Sequence, residues 1–293
     1  MKNRIGIVLV NYNGIKDTKD CIESIRKSTF LNYVIYVVDN DSSDKFVLRK
    51  EYENCSDVEI LVSDTNAGFA GGCNIAIREI IDNGEFDYIF LLNNDTTVSE
   101  NSLEVLLSVA ENNKDAGIIT CKINYYFNKN KVWFSGSKYS TVLENAKHIL
   151  SDKKIGIKKI PFATGCVQLI PVSVIKKVGL MDEKYFLYSE DLDYCRKIIR
   201  YGYKIYYTDN TVIYHKVNVT TGKDSPLQQY YSTRSRFLFI KQNVCPVFKP
   251  VAYLRLHCSN LYALIRKRRI GSIMRRAYRD FKAGNFGKSE MKF

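Results

Sequence analysis

A mostly parallel β-sheet flanked by helices, an α/β architecture of the Rossmann-like kind, is the fold that this 293-residue sequence predicts. Two observations carry that prediction. Short apolar runs alternate with amphipathic stretches through the first part of the chain, and four of the runs end in polar or glycine-rich segments: NYNG, DNDSSD, SDTNAG and NNDT. A third feature stands apart from the fold. From Lys249 onward, twelve basic side chains meet only Asp280 and Glu290, so the tail carries most of the formal charge of +13.

The elements follow in order. Residues 5–10, IGIVLV, read as a first strand buried on both faces, and 15–27 as a helix with Cys21, Ile22 and Ile25 on one side. A second strand at 33–38 ends at Asp39, and a third covers 58–62. The turn SDTNAGFAGG then leads into a helix over 73–81. The fourth strand, 86–92, breaks at Asn93-Asn94-Asp95, and the pattern from Ser99 is helical. Strands are expected at 117–123 and 131–140, paired as a hairpin, with a lysine-rich loop at 144–159. Residues 161–170 return as a strand whose small residues, Ala163-Thr164-Gly165-Cys166, permit close approach of a ligand or backbone. A helix at 189–201, capped by Ser189 and ended by Gly202, precedes two short strands at 204–208 and 212–215. The last helix of the body covers 225–242, and Pro246 and Pro250 mark the break before the tail. The expected division is a body of 1–245, with halves 1–98 and 99–245, and a basic helical region of 246–293.

Composition narrows the function. A chain with 45% apolar and 13% aromatic residues can bury the core of an enzyme. Its eight cysteines include no CxxC pair, which excludes the usual structural zinc patterns and points to reduced thiols and the cytoplasm. The apolar run in MKNRIGIVLVNYNG is too short for a signal peptide or a membrane span. The cluster Arg266-Lys-Arg-Arg269 suggests nucleic acid, but no binding motif accompanies it and the body is nearly neutral, so no nucleic-acid partner is expected.

Three constellations carry chemistry. Asp95, at a strand end, suits either a turn or a divalent cation, and His215, ending the strand TVIYH, could complete a mixed oxygen and nitrogen site for Mn²⁺ or Mg²⁺ with a diphosphate. Glu190, Asp191 and Asp193 crowd three carboxylates into the first turn of a helix. Their repulsion raises a pKa and the helix N-terminus lowers it, which can hold a carboxylate as a usable base. The run from Asn66 to Asn74 is neither GxGxxG nor GxxxxGK[ST], yet its glycines allow close backbone approach to a phosphate.

In order, VLVNYNG (8–14), VVDNDSSD (37–44), NAGFAGGCN (66–74), LLNNDT (91–96), ATGCVQLI (163–170), FLYSEDLDYCRKIIRYGYKI (186–205) and Tyr214-His215 resemble the inverting glycosyltransferases of family 2. The likeness is to the rhamnosyltransferase-like branch that builds bacterial surface polysaccharides, and it covers about residues 4–245. It implies a GT-A fold in which Asn11, Tyr12, Asn13 and Asp39 border the nucleoside, Asn66 and Gly71 line its pocket, and Asn93 and Asn94 lie on the donor. Asp95 matches the metal-binding carboxylate of the family's DxD motif, and Asn93 departs from its first Asp. His215 matches a metal-binding histidine, Asp191 the general base and Glu190 its neighbour. Trp133, Thr164 and Gly165 fall on the acceptor side. The implied donor is deoxythymidine-diphosphate rhamnose, with UDP-linked hexoses or N-acetylhexosamines as the alternative. The implied acceptor is a glycan or a polyprenyl-diphosphate-linked sugar. A sugar nucleotidylyltransferase would need a basic loop after the first strand, and VNYNGIKDTKD has no arginine there. Apolar residues interleaved with arginines over 251–265 and 270–283 predict a helix lying on the cytoplasmic face of the inner membrane, and a homodimer is also admitted.

Overall fold

The computed structural model describes residues 3–140, 145–217, 225–266 and 268–291. The four apolar runs of the first part form a parallel block: β1 (Ile5–Asn11), β2 (Tyr33–Asn40), β3 (Val58–Ser63) and β4 (Tyr88–Leu92). β1 lies between β2 and β4, and its register sets Asn11 beside Asp39. The connections are helical: α1 (Ile15–Arg26), α2 (Lys45–Tyr52) and α3 (Gly68–Asn83). Parallel neighbours require such crossovers, and both faces of β1, β2 and β4 are thereby covered, which is why their runs are apolar, whereas the edge strand β3 keeps Glu59 exposed.

The later strands extend the sheet on the β4 side. Next along the chain come β5 (Thr96–Val98), α4 (Ser102–Asn112), β6 (Ala116–Tyr125), β7 (Asn128–Phe134), β8 (Ser137–Ser140), β9 (Asn145–His148), β10 (Lys158–Ile160), β11 (Val167–Pro171), α5 (Val172–Val178), α6 (Glu190–Arg200) and β12 (Lys204–His215). The main sheet runs β10-β12-β6-β11-β4-β1-β2-β3, with β5 added to β12 and β7 to β6. β11 is inserted antiparallel between β4 and β6. β8 and β9 make a separate two-stranded ribbon.

Several expectations change in detail. α3 begins at Gly68, so the glycine-rich run belongs to its first turns. The lysine-rich loop contains β9 and β10. The strand expected over 161–170 reduces to β11, because 163–166 leave the sheet to meet α6. The two strands at 204–208 and 212–215 are one strand with an irregularity between Thr208 and Val212, where Asp209 and Asn210 read as a turn but bulge instead. α2 and α5 were not expected at all.

The tail continues the helical layer. α7 (Pro226–Asn243) starts where Ser225 accepts a hydrogen bond from the Gln228 N–H and Pro226 occupies the first turn. α8 (Lys249–Arg266) and α9 (Arg268–Ala283) fold back on it. Phe237 of α7 packs on Tyr253, His257, Tyr278 and Phe281. Ile273 and Ala277 are buried against Tyr230 and Tyr231. Of the apolar residues expected to face lipid, Leu256, Ile273 and Met274 are therefore buried in protein, and only α8 keeps an apolar side in solvent. No helix among the described residues is long and apolar enough to cross a membrane.

Candidate active site

The ends of β1 and β2 are tied together by one amide. Asn11 Nδ2 donates to Asp39 Oδ2 at 2.7 Å and to Ser42 Oγ at 3.1 Å, while its Oδ1 accepts from the Gly14 N–H and the Thr18 hydroxyl. Asp39 Oδ1 accepts from the Ser42 N–H at 2.9 Å. Both residues are fully buried, so they brace the two strand ends from within. Asn13 takes a left-handed conformation with φ of 53°, and its Oδ1 accepts from the Ser43 N–H. Tyr12 is partly buried. The Asn66 side chain accepts from the Gly68 N–H and from Asn40, which in turn caps Ala67 and Gly68. A Cβ on Gly71 would lie 2.6 Å from the Ala67 Cβ, which explains the glycine there. Asn94 donates to the Thr18 hydroxyl.

Asn40, Ser42 and Lys288 join this site without having been singled out from the sequence. Lys288 comes from a segment after α9 that is anchored by Arg234 of α7. That guanidinium is buried, donates to the carbonyls of Asn285 and Gly287, and lies over the Tyr230 and Tyr231 rings. The Lys288 ammonium thereby reaches 3.9 Å from Asp41 Oδ2 and 5.9 Å from the Tyr12 ring centre. Asn40 and Ser42 lie within or beside the strand-end segment VVDNDSSD, which was the available signal. Nothing in the sequence links position 288 to position 12.

At the end of β4, the Asn93 N–H donates to the Cys166 carbonyl at 3.0 Å, joining that strand end to β11. Asp95 follows, buried, with Oδ1 3.0 Å from His215 Nε2. The two meet because Thr96 pairs with His215 in the β5–β12 register. Trp133 stands edge-on against His215, and the buried His215 Nδ1 has no hydrogen-bond partner among the described residues. One carboxylate and one imidazole make an incomplete ligand set, and no group of three or more His, Cys, Asp or Glu occurs among the described residues. The pair fits a hard divalent cation that takes its other ligands from diphosphate oxygens and water.

The third part is the start of α6. Tyr188 and Ser189 both have positive φ, 67° and 68°, which costs about 1–3 kcal/mol each for residues with a Cβ. Ser189 occupies the cap position as expected, but its side chain makes no capping bond. The strained turn delivers Asp191 to two backbone donors: Gly165 N–H to Oδ2 at 2.9 Å and Leu192 N–H to Oδ1 at 2.7 Å. Burial raises the Asp191 pKa despite these bonds. Glu190 is raised well above the usual carboxylate range by burial and by the adjacent Asp191, and its Oε2 has no partner. Gly165 is hemmed in by Asp191 Cβ and the Phe69 ring, both 3.3 Å from where a Cβ would stand. Thr164, next to it, is buried and its Oγ1 accepts from the Cys166 N–H. The Cys166 thiol is pushed up chiefly by burial, with smaller contributions from the charges of Asp95 and Asp191.

Glu190 supplies a stability test. A carboxyl whose folded pKa is raised contributes its full share below the unfolded value, about 4.3, and loses it as pH rises through the folded pKa. Glu190→Gln stays neutral throughout. It is expected to melt above the natural chain on the alkaline side by roughly 2 °C or more, with the gap closing toward acid. A melting difference independent of pH would show that Glu190 titrates as an ordinary glutamate.

The model of the family described as glycosyl transferase family 2 matches residues 6–179, more than half of the chain. The chain belongs to that family. Two relatives match over more than four fifths of both chains. The dTDP-rhamnosyl transferase RfbF of Shigella flexneri is 23% identical over 282 residues, 90% of each chain. The N-acetylglucosaminyl-diphospho-decaprenol L-rhamnosyltransferase of Mycobacterium tuberculosis is 21% identical over 269 residues, 82% of this chain and 85% of the relative. Among solved structures, GalNAc-T7 with UDP, GalNAc and Mn²⁺ superposes with a TM-score of 0.67 at 14% identity, covering 86% of this chain and 50% of that one. The fold is therefore GT-A, and this family 2 member is a glycosyltransferase.

Proposed function

We propose that this family 2 glycosyltransferase inverts the sugar it transfers, moving it from a nucleotide donor to a hydroxyl of a glycan or lipid-linked acceptor in bacterial surface polysaccharide synthesis. The observation that carries the reading is the position of Asp191. It is held by two backbone N–H groups, one of them from Gly165, whose neighbour Cys166 bonds the β4 strand end that leads to Asp95. A base fixed at the start of α6 by the loop before β11, and a donor-side carboxylate just past the end of the neighbouring β4, suit a single displacement. The acceptor hydroxyl gives its proton to Asp191, its oxygen bonds to the anomeric carbon, and the bond from that carbon to the diphosphate oxygen breaks with the electron pair leaving on the nucleotide. The configuration at the anomeric carbon inverts.

Asp95 and His215 would hold the divalent cation, Mn²⁺ or Mg²⁺. When bound, such a cation offsets the charge developing on the leaving diphosphate, worth a few kcal/mol of barrier. Asn93 provides an amide rather than a second carboxylate, so the site carries one negative charge fewer than a DxD pair. Tyr12, Asn13, Asn66 and Asn94 border the donor on a floor set by Asn11, Asp39 and Gly71. Trp133, beside His215, and the Thr164-Gly165 turn belong to the acceptor side.

The name of the Shigella relative supports dTDP-rhamnose as the donor, and that of the mycobacterial relative supports a lipid-linked acceptor. Val251, Leu254, Leu261 and Ile265 lie exposed along α8 among basic residues, which supports a peripheral position on the cytoplasmic face of the membrane. The body of 1–245 would carry the chemistry, and the basic region of 246–293, packed on α7, would present the exposed side of α8.

A thermal-shift panel tests the donor. dTDP-rhamnose with Mn²⁺ or Mg²⁺ is expected to raise the melting temperature more than UDP-glucose, UDP-galactose or UDP-N-acetylglucosamine, since a ligand at a hundred times its Kd adds about 2.7 kcal/mol. A larger shift with a UDP-sugar would assign the hexose or N-acetylhexosamine alternative. Shifts from none of them would overturn the nucleotide-sugar reading.

A further inference from the structure

The segment that follows α9 is held in place by buried groups of α7. Gly284, with φ of 76°, ends α9 in a Schellman motif: its N–H donates to the Phe281 carbonyl, and the Asn285 N–H donates to that of Asp280. Arg234 then takes up two carbonyls of the segment. Its guanidinium, only 2% exposed, donates from one nitrogen to Asn285 and from another to Gly287. Farther on, the Ser289 N–H donates to the Tyr231 hydroxyl at 2.9 Å, and Met291 packs on the cluster of Phe186, Tyr230 and Tyr231. A guanidinium taken out of water is costly, and here its hydrogen bonds secure a segment that adds little to the core: Asn285, Lys288 and Glu290 are exposed, and none of residues 284–291 is fully buried.

What these bonds fix is the position of Lys288. Both of its neighbours are tied, Gly287 through its carbonyl and Ser289 through its N–H, and the ammonium is presented beside the ends of β1 and β2. It stands 5.9 Å from the Tyr12 ring centre and 3.9 Å from Asp41 Oδ2, beyond hydrogen-bond length, while Lys45 stands 4.0 Å from the other Asp41 oxygen. One carboxylate thus faces two ammonium groups, which leaves a positive charge in excess next to Tyr12. With its side chain about half exposed, Lys288 is open to a ligand, and its three N–H donors call for oxygen acceptors.

We propose that Lys288 binds the donor nucleotide at its nucleoside end, donating to oxygen atoms of the base or sugar, and that Arg234 is the positioning residue that holds it there. The inference rests on the transferase reading and adds to the donor site a ligand-binding residue from the basic region. Neither residue takes part in bond making. Tyr231, which anchors Ser289, also stacks on Phe186 at 4.7 Å, and the Ser235 hydroxyl donates to the Leu187 carbonyl, so α7 holds both the donor-side segment and the turn that leads to Asp191.

The test is calorimetry on the full chain in Mn²⁺, with dTDP, UDP and the two monophosphates. For whichever base binds more tightly, Lys288→Ala is expected to raise Kd about tenfold, as the loss of a charge-assisted hydrogen bond does. The monophosphate should weaken by the same factor, because the contact lies at the nucleoside end, and Lys288→Arg should recover most of the affinity. Arg234→Met is expected to weaken binding to a similar degree in the natural chain and to cost nothing further in the Lys288→Ala background, whereas a merely structural arginine would cost the same in both. Should Arg234→Met fail to fold, Ser289→Pro, which removes the N–H donated to Tyr231, is expected to show the same loss at a nearly natural melting temperature. Nucleotide affinity within about twofold of natural in Lys288→Ala would overturn the proposal and spare the donor reading. A loss confined to the diphosphate would put the ammonium on the terminal phosphate and overturn the nucleoside-end assignment, and additive losses would overturn the role of Arg234. A natural chain that binds neither nucleotide would overturn the donor reading and the proposal together.

Discussion

Asp191→Asn is expected to lower kcat about a hundred- to ten-thousandfold while leaving donor affinity within about twofold, the signature of a lost general base. The amide keeps the size and shape of the carboxylate. It can accept only one of the two backbone hydrogen bonds, from Gly165 or from Leu192, so a stability loss of about 1 kcal/mol should accompany the change. Melting curves separate that loss from the catalytic one. The pH profile is the sharper measurement. Burial lifts the natural carboxyl, so the acid limb of kcat/KM should fall above the ordinary aspartate range, near 3.9, with the rate rising as pH climbs through it. The variant should lack that limb. Activity within an order of magnitude of the natural chain would remove Asp191 from the mechanism.

Gly68→Ala should produce the largest structural effect of any single methyl group near the site. Gly68 has φ of +74°, and a Cβ placed there would stand 2.1 Å from the Phe186 carbonyl oxygen. The same carbonyl accepts from the Phe69 N–H at 2.9 Å, so it cannot withdraw without breaking the bond that docks α3 on the segment leading to α6. Unfavourable backbone conformation and overpacking together predict a loss of about 2–4 kcal/mol. Because Phe186 lies five residues before Asp191, the displacement should also reach the base and lower kcat by an order of magnitude or more. Chemical denaturation and steady-state kinetics on the same variant check both parts. A variant with natural stability would mean that the α3 contact is looser than the geometry states.

How much of this was legible in the sequence follows from what each element depends on. β1 to β4 declare themselves because strands covered on both faces are apolar throughout and stop at polar ends. α2 and α5 span only 8 and 7 residues, too short for a helical period to stand out. β12 reads as two strands because Asp209 and Asn210 favour turns, whereas pairing with β6 on either side carries the chain through. Asp95, Asp191 and His215 stand out as polar residues at strand and helix ends. The scaffold role of Asn11 does not, since Gly14 and Thr18 read as an ordinary helix start and Asp39 and Ser42 come from the next strand end. Lys288 depends on tertiary placement alone, and in the sequence it merges into a basic tail.

The insertion of β11 between β4 and β6 bears on how the protein can be divided. A fragment ending near residue 98 would leave β4 with an uncovered edge of buried-type residues, Ile89, Phe90 and Leu91, whose present partners are Ile170, Leu169 and Gln168. Such an edge recruits other strands, so the nucleotide half made alone should aggregate rather than report on nucleotide binding.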